Sequence, residues 1–321
     1  MVSSNPLLDS TPSEAHTLNA VIIIVSLLSA LGAALIIASF AAFSSLRTFR
    51  HQLILGLAIS DLCMALNFLI SSSVNLHGPS IGSPDLVDFC SFNGFMTQVF
   101  VVQTDYWVLT IAICTYLILA DHKRESTWAQ DHRIVMWVLP WVISIVIGTL
   151  GLVLVGYGDI GAWCWFVSDR LRLLINFIPR WIIIFTILTL YARLYFLIHK
   201  AHTGFTSFSD EALSDLPTNS SSSRSPADVL VNSRFGTNAT VLRRISIQMM
   251  VYPLVYMLTW TIPTTIRIYQ STSGEVAPFG VGTLDKSCIV IQGFADAIVY
   301  GLNESTWKLW RKAVRRNGEK R

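Results

Sequence analysis

Three carboxylates, Asp61, Asp105 and Asp296, stand in strongly apolar stretches of the chain, as do the cations Arg180 and Arg267. An acidic side chain at the centre of a membrane helix costs about 2.5–3.5 kcal/mol on insertion scales. Something must offset that cost: a cation, a polar network, a shared proton or a ligand. Gln98, Gln292 and Trp260 fall at outer to middle depth in such stretches, and Trp165 in an outer loop. With Arg180 and Arg267 they form a candidate ligand-binding set, whose charge and donor groups suit an anionic or polyhydroxylated small molecule. Arg170, Arg172 and Lys286 lie nearer helix ends and read as cations snorkelling to lipid headgroups. The sequence contains no HExxH, no Gly-rich phosphate loop and no defensible Ser/His/Asp arrangement, so binding, not catalysis, is the expected chemistry. No enzyme activity, cofactor or nucleic-acid partner is expected.

These groups need elements to hold them. Of the 321 residues, 52% are hydrophobic and 13% charged, with a mean hydropathy of +0.54. Soluble domains carry about a quarter charged residues, so the expectation is an all-α membrane protein. The organising stretch is 90–121, long enough to cross a ~30 Å hydrocarbon core with some tilt. Gln98, Gln103, Asp105 and Thr110 interrupt it, which places it inside a bundle, away from lipid. Six further spans read as 17–43, 53–74, 134–155, 171–198, 241–269 and 285–300. The expectation is a seven-transmembrane helix bundle over 17–304, after an extracellular tail at 1–16.

Residues 1–46 contain no Lys or Arg, whereas the end of the chain carries Lys308, Arg311, Lys312, Arg315, Arg316, Lys320 and Arg321. Basic residues gather on the cytoplasmic side, so the C-terminus is expected inside and the N-terminus outside. The first span is then an uncleaved signal-anchor. Residues 305–321 read as a short amphipathic helix on the inner leaflet followed by a basic tail. The loop 199–238, rich in Ser, Asn and Asp, is expected to be a disordered third cytoplasmic loop, with Ser220 to Ser223 and Ser225 open to phosphorylation. Lys123, Arg124, Arg243 and Arg244 mark the inner ends of spans 3 and 6. They face a cytoplasmic partner or serve only as positive-inside anchors.

Cys90 and Cys164 both fall at the outer boundary, where disulfides persist. A bridge between them competes with two free thiols and with Cys288, also near the outer end. Pro253 and Pro263 each weaken the hydrogen-bond ladder of span 6 and make it a candidate hinge. Asp61 lies ten residues beyond His51, and Asp296 eight before Glu304; those depths are about 15 and 12 Å. Where the two spans are neighbours, as the resemblance described below implies, two carboxylates at one depth must share a proton or hold a cation, so Asp61 and Asp296 form a candidate Na⁺ or proton switch. The other reading is a structural Asp296 facing Ser60 or Asn67.

The run Leu57-Ala58-Ile59-Ser60-Asp61-Leu62, the loop Gly161-Ala162-Trp163-Cys164-Trp165, Ile178-Pro179-Arg180-Trp181 and Tyr252-Pro253 with Trp260 and Pro263 follow in a specific order. With Gln292-Gly293-Phe294-Ala295-Asp296 and the residues to Glu304, the chain resembles the cyclic-AMP-receptor-like G-protein-coupled receptors of slime moulds and fungi. The resemblance covers spans 2 to 7. It implies a multi-pass plasma-membrane receptor, adjacent spans 2 and 7, and a heterotrimeric G protein partner whose Gα subunit would meet Lys123, Arg124, Arg243 and Arg244. It implies signal transduction, feeding cAMP or nutrient signalling. Two seven-helix alternatives compete. A retinal protein needs a Lys near the middle of span 7, and Lys286 is at its outer end. A small-solute transporter usually shows internal repeats, and none is visible.

Overall fold

The computed structural model describes the backbone of residues 11–120, 123–214, 226–274, 277–303 and 306–318; between 198 and 249 the side chains are not described. The chain opens with a reciprocal cap. Thr11 Oγ1 accepts from the Glu14 amide at 3.3 Å, and the Thr11 amide donates to Glu14 Oε2 at 2.9 Å. Pro12 then occupies the first helical position, where its missing N–H costs nothing. Helix α1 therefore begins at Pro12, earlier than the apolar run, and ends at Ala42. It is followed by α2, Phe49–His77, and α3, Val87–Leu119. A short α4, Lys123–Asp131, leads to α5, Arg133–Leu154.

Two two-residue strands, β1 Gly158–Asp159 and β2 Cys164–Trp165, form an antiparallel hairpin pairing Gly158 with Trp165 and Asp159 with Cys164. The fifth span starts as α6, Asp169–Arg172, passes through a π-helical turn at Leu173–Phe177, and continues as α7, Ile178–Ser214. Pro179 has no N–H for the turn before it, and the widened turn sits there. Helix α8 spans Pro226–Ser273, α9 Phe279–Val290, α10 Gln292–Asn303 and α11 Thr306–Gly318.

Among the described residues, five helical stretches, from Pro12 to Leu197, are each long and apolar enough to cross a membrane. Helices α8, α9 and α10 join the bundle, with α8 against α3 and α9, and α10 against α1 and α2. Helix α3 packs on α2, α5, α7 and α8, as its polar interruptions required. Helices of 37 and 48 residues measure about 55 and 72 Å, well beyond the hydrocarbon core. They therefore extend into the segment 199–238, where a wholly unstructured loop was expected; its described residues, 199–214 and 226–238, are helical, and 215–225 lie outside the described residues.

Glycines let α1 and α10 meet. A Cβ on Gly32 would stand 2.9 Å from the Gly293 carbonyl, and one on Gly293 would stand 2.7 Å from Ser29 Oγ and 3.0 Å from the Asp61 Cβ. Helix α11 docks on the end of α1 through Trp310, whose Nε1 donates to Ser39 Oγ at 2.9 Å and whose ring meets Phe43 edge-on.

Candidate functional site

The polar residues of the core stack in layers from the outer surface inward. The outermost is the hairpin. Cys90 and Cys164 are joined by a disulfide, and Cys288 is a free thiol. The Cys164 amide donates to Asn93 Oδ1 at 2.8 Å. At the hairpin turn Gly161 takes φ +106°, a conformation that favours glycine. Lys286 Nζ donates to the Ile160 carbonyl at 2.8 Å, and Trp163 packs on Phe68 at 4.3 Å between ring centroids. Beside it, burial raises the Tyr157 phenol above its ordinary pKa, and its hydroxyl donates to the Gly148 carbonyl at 2.8 Å. Residues Ala162 to Phe166 are buried, so the hairpin seals the mouth of the bundle.

Beneath it, Trp165 Nε1 donates to Gln98 Oε1 at 2.7 Å, and Gln98 Nε2 donates to Asn176 Oδ1 at 2.9 Å. Asn176 belongs to the π-helical turn, four residues before Arg180 and on the same face. The next layer joins three helices. Arg180 Nε and Nη2 donate to Asp105 Oδ1 and Oδ2 at 2.9 and 3.1 Å. The Tyr256 hydroxyl makes a short bond to Asp105 and accepts from Arg180 Nε at 3.0 Å. The guanidinium lies 3.3 Å over the Trp260 ring, a cation–π contact strengthened by desolvation.

Deeper still, Thr259 Oγ1 donates to Gln292 Oε1 at 2.8 Å, and Gln292 Nε2 donates to Asp296 Oδ2 at 3.1 Å. The Asp296 carboxylate neighbours that of Asp61, and neither Asp61 oxygen receives a hydrogen bond from a donor among the described residues. Ser29 Oγ is a further oxygen beside them without a partner among the described residues. These oxygens are what the chain offers to a cation; among the described residues no group of three His, Cys, Asp or Glu gathers as a metal site.

To one side, at the outer ends of spans 5 to 7, Arg267 donates to Asp169 at 3.0 Å, Gln270 at 2.9 Å and Asp285 at 2.6 Å. Arg172 joins Asp169 at 2.7 Å. Arg172 and Lys286 are buried, so they do not snorkel as their positions suggested. Arg170 remains exposed.

The structure brings Gln98 to Trp165, Arg180 to Trp260 and Gln292 to Asp296. It sets Arg267 apart with Asp169 and Asp285. All six residues of the expected ligand set are buried and carry side-chain contacts from within the chain. Clefts lined by Ile182 and Phe185 on α7, and by Leu69 and Ile70 on α2, lie on apolar flanks that lipid would cover. The side chains of Lys123, Arg124, Arg243 and Arg244, and residues Ser220 to Ser223 and Ser225, lie outside the described ones.

Tyr256, Asn176 and Asp285 are missing from the sequence reading. Tyr256 carries a visible signal, since it lies one turn before Trp260 and shares its face. Asn176 stands in the same relation to Arg180.

A family model described as "G protein-coupled glucose receptor regulating Gpa2" matches residues 15–205, and the model of that family's C-terminal part matches 238–309. The chain is 41% identical to "Ascaroside receptor GPR2" of Arthrobotrys oligospora, over 93% of this chain and 91% of that protein. It is 23% identical to "Cyclic AMP receptor-like protein A" of Dictyostelium discoideum, over 92% and 67%. Among solved structures, squid rhodopsin superposes with a TM-score of 0.64 at 15% identity, over 92% of this chain and 83% of that one; this likeness concerns the fold.

Proposed function

The chain belongs to the family of G protein-coupled glucose receptors regulating Gpa2, and from that premise we propose how it receives and passes on a signal. It is a multi-pass G-protein-coupled receptor for a small molecule and not an enzyme. In our reading it sits in the plasma membrane with its N-terminus outside, binds an anionic or polyhydroxylated ligand from that side, and feeds cAMP or nutrient signalling. Relatives named for glucose and for ascarosides support a polar small-molecule ligand.

One observation carries the mechanism. The Arg180–Asp105–Tyr256 cluster, capped by Trp260, ties α3, α7 and α8 together at the bundle centre. Trp260 and Tyr256 sit between Pro253 and Pro263, the two weak points of α8. The Gln98–Asn176 contact lies directly outward of this cluster on α3 and α7. A ligand that displaces the hairpin's Trp165 from Gln98 would loosen Arg180 from Asp105. Helix α8 would then tilt about Pro253 or Pro263 and open a cytoplasmic cleft to the Gα subunit, beside Lys123, Arg124, Arg243 and Arg244.

A ligand must differ in affinity between the two arrangements to drive this shift. The test is nucleotide exchange on a co-expressed Gα, screened against sugars, nucleotides and amino acids. Arg180→Ala should abolish the response of an active compound at normal surface expression. An unchanged dose–response would remove the cluster from the signal path.

A further inference from the structure

The outer ionic cluster has more donors than it uses. Arg172 is 1% exposed, yet its Nε and Nη1 have no partner among the described residues, and neither does Arg267 Nε. Burying such donors unpaired is costly. On the acceptor side, Asp285 Oδ1 is also buried without a partner. Arg172 lies within electrostatic range of Arg267, Asp169 and Asp285, but among the described residues the one carboxylate it bonds is Asp169. Lys286 adds a third cation nearby, held by the Ile160 carbonyl. Asp159 also faces Lys286, but its oxygens accept from Ser80 and from the Gly161 amide.

Asp169 differs from the rest. It bridges Arg172 and Arg267, and its side chain is 35% exposed, whereas those of the two arginines are 2% and 4%. It is thus a carboxylate at the rim, bonded to two buried guanidinium groups, on a helix of four residues next to the hairpin. An arriving carboxylate can compete for the same donors from solvent. The leftover donors of Arg172 and Arg267 would take its second oxygen, and the free Asp285 Oδ1 would accept from a hydroxyl near it.

We propose that Arg172, Arg267 and Asp285 form an anion subsite for a hydroxylated carboxylate, such as a sugar acid, with the Asp169 carboxylate standing where the ligand's own would bind. The inference rests on the receptor reading and narrows its ligand class to one needing both a carboxylate and a hydroxyl. A guanidinium supplies paired donors matched to a carboxylate, and a neutral sugar offers no counter-charge to use them.

The test uses the full-length receptor in phosphatidylcholine nanodiscs. Thermal unfolding is followed by Trp fluorescence with D-glucuronate, D-galacturonate or D-gluconate, and with D-glucose and hexanoate as probes bearing only one of the two groups. At least one sugar acid should give a saturable rise in unfolding temperature, while glucose and hexanoate give less. Arg172→Gln should weaken its apparent Kd about tenfold or more. Asp169→Asn, which removes the competing carboxylate but keeps the shape, should strengthen it. Asp285→Asn should weaken a sugar acid while leaving hexanoate unchanged. If Arg172→Gln does not fold, the Asp169→Asn and Asp285→Asn results decide alone. The absence of any sugar-acid shift in the wild type, or an Asp169→Asn variant that binds no better, overturns the proposal. Basal nucleotide exchange on a co-reconstituted Gα separates the two claims. Exchange that changes in Arg180→Ala without sugar-acid binding leaves the receptor mechanism standing and the subsite refuted; sugar-acid binding without exchange does the reverse.

Discussion

Arg180 and Asp105 meet across α7 and α3 in a two-point ion pair, at 2.9 and 3.1 Å, shielded from solvent. Removing one partner of a buried pair costs about 3–5 kcal/mol, because the other is left charged and alone. Replacing both with neutral groups of similar shape costs much less. Arg180→Gln and Asp105→Asn should each lower the unfolding temperature more than the double variant Arg180→Gln/Asp105→Asn does. Strictly additive effects in a double-mutant cycle on purified receptor would show that the pair does not act as a unit.

Tyr256 shares the Asp105 carboxylate and lies under Trp260 on the hinge helix. Tyr256→Phe removes the hydroxyl's bond to Asp105 and the one it accepts from Arg180, each to a charged group and worth about 1.5–3 kcal/mol, and frees α8 from α3. Basal nucleotide exchange on Gα should rise in this variant at equal surface expression. Exchange equal to wild type would place the hinge's restraint elsewhere.

The Cys90–Cys164 bridge closes a loop with a sequence separation of 74, which on the chain-entropy model is worth about 4–5 kcal/mol. Mass spectrometry of the non-reduced protein should find the two peptides linked. Cys90→Ala/Cys164→Ala should lose several kcal/mol of stability and most surface expression, whereas Cys288→Ala should keep both. Full alkylation of Cys90 and Cys164 in folded receptor would contradict the bridge.

At Asp61 the two carboxylates face each other, and among the described residues no other group donates to either Asp61 oxygen, to the second oxygen of Asp296 or to the nearby Ser29 Oγ. A single proton leaves most of them unsatisfied, whereas a small hard cation takes several oxygens at once. The unfolding temperature should therefore rise with Na⁺ at constant ionic strength, and Asp61→Asn should remove that dependence. A response to pH and not to Na⁺ would assign a shared proton to the pair instead.

Arg243 and Arg244 lie on α8, in the part the receptor reading turns toward the Gα subunit. Reversing both charges should lower Gα nucleotide exchange and leave ligand-induced thermal stabilisation intact. Parallel loss of both readouts would trace the effect to folding.

Hydropathy is a property of short stretches, so the helical membrane bundle was legible without a structure. So were the two outer cysteines and the depth match of Asp61 with Asp296, which needs only a rise per residue and a neighbour relation. Side-chain partners are another matter. They depend on how each helix is rotated about its axis, and that is set by packing against the others: Gly293 against Ser29 and Asp61, or the π-helical turn that ends beside Pro179. Arg180 therefore read as a ligand residue in sequence, and the tertiary structure gave it to Asp105. Arg172 read as a headgroup anchor, and the fold buried it with donors to spare. The sequence determined which charges enter the membrane; only the packed bundle decided which of them meet, because a helix shows a residue's depth but not the face its neighbours leave open.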